Sequence, residues 1–325
     1  AGQQAQVAIF SSRMGEHLAK IDNKDLPQKP FYSTAIAAAH LMMLKRHVPA
    51  DGIDPAAIAG GRLARYKVLL MPFSHCLSRE TAEHIKAFVA AGGTVIADFP
   101  CALKDERGVC YSTLPGAGLD DLFGAVEEDA AKTEEVRIRM RRGAWDGANT
   151  VFPAVTARHF RQDLALRGAQ VMGVWPDGKP AVTLHRYGKG VAILAGSSLF
   201  GFAALREGNR PPKLDDDRMR FLQAALARVG VEPPLALAGP DGGPAADLET
   251  SVLVAGTERV VIVINHGRQP VAQRLLLRGA AGQVADLETG KPVRARTVAD
   301  GLAWLTQIPG ESCRVYGIRS SDGPC

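Results

Sequence analysis

Two cysteines stand where a parallel sheet places its chemistry. His75-Cys76 follows the apolar run Lys67–Pro72, and Cys101 follows the run Thr94–Phe99. In doubly wound folds, ligands and catalytic groups gather outside the carboxyl ends of the strands. A thiolate there could attack a carbonyl if a base lowered its pKa. Cys101 is preceded by Pro100 and has no flanking glycine, so it does not form a GxCxG elbow. The late run VAILAG leads into Ser197-Ser198-Leu199-Phe200, with no HxE to complete a triad. The bland alternative for both thiols is packing as small hydrophobes. Ser11, Ser12, His75 and Asp98 are the other polar groups at strand ends, and Lys104 and Asp105 begin the loop beyond them. Together they are candidates for binding a small ligand or sugar, or for meeting a partner.

Other chemistries lack their signatures. The turn after the first strand reads SSRMGEHLAK, with one glycine where GxGxxG would need three. Gly188-Lys189-Gly190 is a hairpin turn and not a phosphate loop. No CxxC or HExxH occurs, so no metal and no cofactor is expected. A glycosidase needs two carboxyl groups ~5–10 Å apart. The clusters Glu127-Glu128-Asp129, Glu134-Glu135 and Asp215-Asp216-Asp217 fall beside loops, at a strand start and in a helix first turn. None reads as a catalytic pair. Trp145, Trp175 and Trp304 are too far apart to mark one sugar platform and read as core.

Composition narrows the class. The chain has 325 residues, 46% hydrophobic and 22% charged, an ordinary globular balance for about two domains. The net charge of +5 is a weak bias, and the densest basic run, Arg137, Arg139, Arg141 and Arg142, has no interleaved aromatics. It reads as the solvated face of a strand, with no nucleic-acid partner. No run reaches the ~18 apolar residues of a membrane helix. Five scattered cysteines and no charged-then-apolar leader lead to the expectation of a reducing, cytoplasmic setting.

The elements follow from periodicity. Strands are expected at Gln6–Ser11, Val48–Ile53, Lys67–Pro72 and Thr94–Phe99. Helices are expected at Tyr32–His47, at Asp54–Ala64 behind an Asp-Pro cap, and at Ser78–Ala91, stopped by Gly92-Gly93. This alternation predicts a flavodoxin-like, doubly wound parallel sheet. Pro100–Gly118 is a long loop, and Leu119–Phe123 a short helical turn. Further strands are expected at Glu134–Arg142, Val151–Ala157, Gln170–Trp175, Ala181–Tyr187 and Gly190–Ala195, the last returning to the main sheet. Asp215–Val229 reads as a helix with Arg218 and Arg220 on one side and Leu222, Leu226 and Val229 inward. The first domain then covers 1–231, a Pro/Gly-rich linker 232–244, and a small antiparallel β-sandwich 245–325.

Several stretches resemble family 42 β-galactosidases. They are His47–Phe99; Leu103–Asp129 with its Leu-Asp-Asp-Leu-Phe-Gly turn; YGKGVAILAGSSLFG (Tyr187–Gly201); VVIVINHGRQPV (Val260–Val271); and DLETGKP (Asp286–Pro292). The resemblance covers most of 1–320. It implies a class I glutamine amidotransferase-like α/β domain without the amidotransferase triad, followed by the small β domain that ends these enzymes. In that family the α/β domain mediates trimerisation and helps wall the active sites, while the catalytic glutamates lie in an N-terminal (β/α)8 barrel. A barrel takes ~250 residues, and the strands read here leave no room for one. The expected function is therefore a non-catalytic oligomerisation module of a glycoside hydrolase, forming a homotrimer, with loop 100–118 meeting a partner subunit or a barrel. A thiol-dependent hydrolase or amidotransferase relative and a sugar-binding domain are the alternatives.

Overall fold

In a computed structural model of the chain, the described residues are 4–22, 31–145, 152–200, 217–243 and 248–319. Val151, Gly201, Asp215, Asp216, Pro244 and Cys325, which figure in the expectations above, lie outside them. The chain divides into two compact units. One comprises Gln6–Met42 and Ala50–Val231, and the other gathers Met43–Pro49 with the chain from Glu232 onward.

In chain order the first unit holds β1 (Val7–Phe10), α1 (Arg13–Asp22), α2 (Phe31–Lys45), β2 (Ala50–Ile53), α3 (Pro55–Ala59), β3 (Val68–Met71), α4 (Arg79–Ala90), β4 (Thr94–Asp98), α5 (Leu119–Phe123), β5 (Ala125–Met140), β6 (Val155–Leu166), β7 (Gln170–Val174), β8 (Pro180–Tyr187), β9 (Gly190–Ala195) and α6 (Asp217–Arg228). The last three residues of α2 belong to the second unit. Nine strands form one sheet in the order β2-β1-β3-β4-β9-β8-β7-β5-β6. The first five are mutually parallel, and the rest join antiparallel through the β8–β9 hairpin. Every residue of β1, β3, β4 and β9 is buried. That explains their unbroken apolar runs, since parallel strands are covered on both faces. Ser78 caps α4 by accepting from the Thr81 N–H at 3.1 Å, and Asp54 caps α3 through the Ala57 N–H at 2.7 Å.

The structure corrects four expectations in this unit. α3 ends at Ala59 instead of Ala64, because Gly61 takes φ +78° and Arg62–Arg65 tighten into a 3-10 turn. Residues after Ser12 form the helix α1, where only a turn was read. Its small residues face inward, Gly15 against the Tyr32 ring, so it lacks the large inward apolar stripe that marks a helix. β5 begins at Ala125 instead of Glu134, and β6 spans Val155–Leu166 instead of starting at Val151. Two register shifts, at Glu127/Asp129 and Thr133/Val136, break the alternation that would have marked the long β5–β6 ribbon. Finally, Arg218 is 5% exposed and not on an open helix face.

The second unit holds β10 (Leu235–Ala238), β11 (Glu249–Ala255), β12 (Glu258–Asn265), β13 (Val271–Arg278), β14 (Gln283–Asp286), β15 (Pro292–Val293), β16 (Ala295–Val298), β17 (Gly301–Ile308) and β18 (Ser312–Arg319). They make two antiparallel sheets, β10-β13-β17-β16 and β11-β12-β18-β14-β15. Alternate residues turn inward, and Val261, Val263, Leu275, Leu277, Trp304 and Ile318 share one core. The Pro/Gly-rich stretch after residue 231 contains β10, which pairs with β13 from Leu235↔Leu277 to Ala238↔Arg274.

Candidate functional site

The sheet order reverses between β1 and β3, so the crevice beyond their carboxyl ends is where such a fold would hold a ligand. Here the protein's own side chains fill it. The Ser12 hydroxyl accepts from the Gly15 N–H at 3.2 Å and caps α1. The Ser12 N–H donates to the Tyr32 hydroxyl at 2.5 Å. Tyr32 is 4% exposed, and burial raises its phenol to about 12, so it stays a neutral plug. Ser11 faces another way: its N–H donates to the Ile53 carbonyl at 2.9 Å, continuing the β1–β2 ladder.

His75 and Lys104 do meet, through a residue that the sequence reading missed. The Asp22 carboxylate, at the end of α1, lies 2.5 Å from His75 Nε2 and accepts from Lys104 Nζ at 2.7 Å. Burial favours the neutral acid at Asp22, but the bonds from Lys104 and His75 outweigh it and hold the carboxyl below its usual range. Burial likewise outweighs Asp22 at His75 and lowers its pKa, which favours the neutral ring. His75 Nδ1 and the Ser74 hydroxyl are buried without a hydrogen-bond partner. Asp22 carried no signal because α1 itself was not read as a helix. The Lys104 backbone bonds both His75 O and Leu77 N, stitching the loop beyond β4 onto the turn beyond β3. Asp105 folds that loop on itself, its carboxylate accepting from the Arg107 and Val109 N–H groups at 2.9 Å each.

Asp98 is separate from this cluster. It is fully buried, and accepts from the Phe73 N–H at 2.6 Å and the Phe200 N–H at 3.0 Å. The Leu199 N–H also points to it. One carboxylate thus ties the turn after β3, where Phe73 takes φ +44°, to the segment after β9.

Neither thiol is armed. Cys76 is 3% exposed and donates to the Asp105 carbonyl at 3.1 Å. Burial, reinforced by Glu106 and Asp105, raises it to about 11. Cys101 is 5% exposed, and burial with the nearby Asp98 charge pushes it up further still. Among the described residues, no group of three or more His, Cys, Asp and Glu side chains could hold a metal ion. None of the helices there is long and apolar enough to cross a membrane. Trp145, Trp175 and Trp304 are all buried, and Trp175 Nε1 donates to the Gln162 carbonyl at 3.1 Å.

What this crevice offers is packing and cross-bracing. The family model described as "Beta-galactosidase trimerisation domain" matches residues 5–208. β-Galactosidase LacZ of Heyndrickxia coagulans is 29% identical over 211 residues, 63% of this chain and 27% of its own length. β-Galactosidase BglY of Alicyclobacillus acidocaldarius is 28% identical over 283 residues, 84% of this chain and 36% of its own. The crystal structure of a β-galactosidase from Bacillus circulans sp. alkalophilus covers 97% of this chain at a TM-score of 0.75 and 19% identity, a likeness of fold, and the match spans 42% of that chain. The chain therefore spans about a quarter to two fifths of the length of these relatives. With the family model matching well over half of its residues, the chain belongs to the β-galactosidase trimerisation-domain family.

Proposed function

We propose that this chain is the assembly part of a β-galactosidase-like glycoside hydrolase. Its α/β unit joins copies of the chain into a homotrimer. The catalytic carboxylates belong to a (β/α)8 barrel of the same polypeptide, and the setting is cytoplasmic. The domain division runs near residue 231. The observation that carries the reading is the filled crevice: Tyr32, Asp22 and Lys104 occupy the strand ends, and both nearby thiols are held protonated. A fold that keeps its scaffold and closes its ligand crevice is suited to holding subunits together.

The surface for assembly lies beside that crevice. α1 turns Met14 and Ile21 outward, 45% and 64% exposed, while Gly15 and Ala19 face the core. Gly108 sits against Leu18, which places the exposed Val109 next to this face. An apolar helix face beside a braced loop fits a subunit contact better than open water.

Sedimentation of the purified chain at about 20 µM tests this. The expected result is a species of three times the chain mass, shifted toward monomer by Val109→Glu, with no hydrolysis of β-galactosides. A strict monomer, or galactoside hydrolysis by the chain alone, overturns the proposal.

A further inference from the structure

Away from the crevice, on the far antiparallel side of the sheet, the β5–β6 ribbon and the start of α6 enclose an open cavity of about 520 Å³. Its walls include Arg137, Pro153, Thr156, Asp217, Arg218 and Arg220. Arg137 and Thr156 are register partners across the ribbon. The Thr156 hydroxyl donates to Asp217 at 2.5 Å, which holds the one acidic side chain among these against the wall. Three guanidiniums and one carboxylate line this concave space, and the charge of Arg218 also acts on the buried Asp98. Arg218 is buried and engaged within the protein, whereas Arg137 and Arg220 are exposed, with no acidic partner among the described residues. Arg139 extends the same charge along β5. The two exposed guanidiniums repel each other, and a planar guanidinium fork is satisfied best by an oxyanion.

We propose that this cavity is an oxyanion-binding site, taking a phosphate- or carboxylate-bearing group between Arg137 and Arg220. Arg218 is a buried part of its wall. Asp217 offsets part of the positive charge, and the two exposed guanidiniums hold a multiply charged anion better than a monoanion. The group could come from a free small anion or from an acidic side chain of a neighbouring copy. Glu128 and Asp129, exposed at the other end of β5, are of that kind.

Titration calorimetry with inorganic phosphate and with pyrophosphate, at about 20 mM salt, tests the site. Saturable binding is expected, tighter for pyrophosphate. The pair Arg137→Gln and Arg220→Gln should weaken it at least 10-fold. The pair Arg141→Gln and Arg142→Gln removes the same net charge outside the cavity and should change it less than about 3-fold. All four side chains are exposed, so the variants keep the core intact. Absence of saturable binding, or equal weakening by both pairs, overturns the proposal. Sedimentation at saturating pyrophosphate separates the sources: dissociation of the assembly identifies a neighbour's carboxylate, and an unchanged species identifies a free anion.

Discussion

Replacing Asp98 with alanine should destabilise the α/β unit by about 3–6 kcal/mol, measured by urea unfolding at pH 7. The carboxylate accepts from the Phe73 and Phe200 N–H groups, with Leu199 adding a third. Removing it leaves these donors in a site with no access to water. Each orphaned buried donor costs ~1–3 kcal/mol. Asp98→Asn restores the volume but only partly rescues, because its amide nitrogen presents hydrogens to one of the N–H groups. A loss below about 1 kcal/mol for Asp98→Ala would mean that the two loops hold without the clamp.

The same residue predicts a pH dependence. Burial raises Asp98 to about 7, against the pull of its backbone donors and of Arg218. In the unfolded chain a carboxyl titrates near 3.9. Between those values the folded state holds a proton that the unfolded state has released, so stability falls as pH rises from about 4 to about 7. Below that window both states are protonated and the contribution is greatest; above it both are ionised and the loss is complete. The stability difference between wild type and Asp98→Ala, followed from pH 4.5 to 8, isolates this term. A difference that stays level across this range would show that the donors hold Asp98 ionised throughout.

What the sequence made legible depended on how many neighbours decide each residue. β3 and β9 are buried on both faces, so their apolar runs were readable locally. The caps at Ser78 and Asp54 were equally local, one hydroxyl or carboxylate meeting an N–H three residues on. α1 was illegible because its inward face is Gly15 and Ala19. The reason for the glycine is the Tyr32 ring, 17 positions beyond Gly15. The β5–β6 ribbon was half read because its two register shifts interrupt the two-residue period. Among the candidate site residues, His75 and Lys104 lie near the strand ends, and the acid that joins them, Asp22, belongs to the unread helix. Asp98 was read as a crevice group, whereas its partners are main-chain donors, which carry no sequence signal. Arg218 was set on one side of α6 with Arg220, away from the inward Leu222 and Leu226, yet it is buried, in the wall of a cavity that β5 and β6 help to close.

The thiols separate assembly from enzymology most sharply. At pH 7.5 a free thiol with a pKa of ~8.5 is about one-tenth thiolate. With Cys76 raised to about 11, the thiolate fraction is lower by about 300-fold, and alkylation rates follow the thiolate. Burial slows the reaction further, since Cys76 and Cys101 are 3% and 5% exposed. Iodoacetamide at pH 7.5, read by peptide mass spectrometry, should therefore modify the exposed Cys110 and Cys313 first. Cys76 should lag free cysteine by more than about 100-fold, and Cys101 by more than Cys76. Unfolding in urea should equalise all of them, confirming that the fold imposes the protection. A hydrolase or amidotransferase relative requires the opposite order, with one of the two modified rapidly even at pH 6, because a nucleophile must ionise near its working pH. Among the described residues, the charges that act on either sulfur oppose that ionisation: Cys101 feels the carboxylate of Asp98, Cys76 those of Asp105 and Glu106, and the effect of Lys104 is outweighed by burial and those acids. The strand-end electrostatics thus work against a thiolate at both positions, and fast labelling of either would overturn the assembly reading at its root.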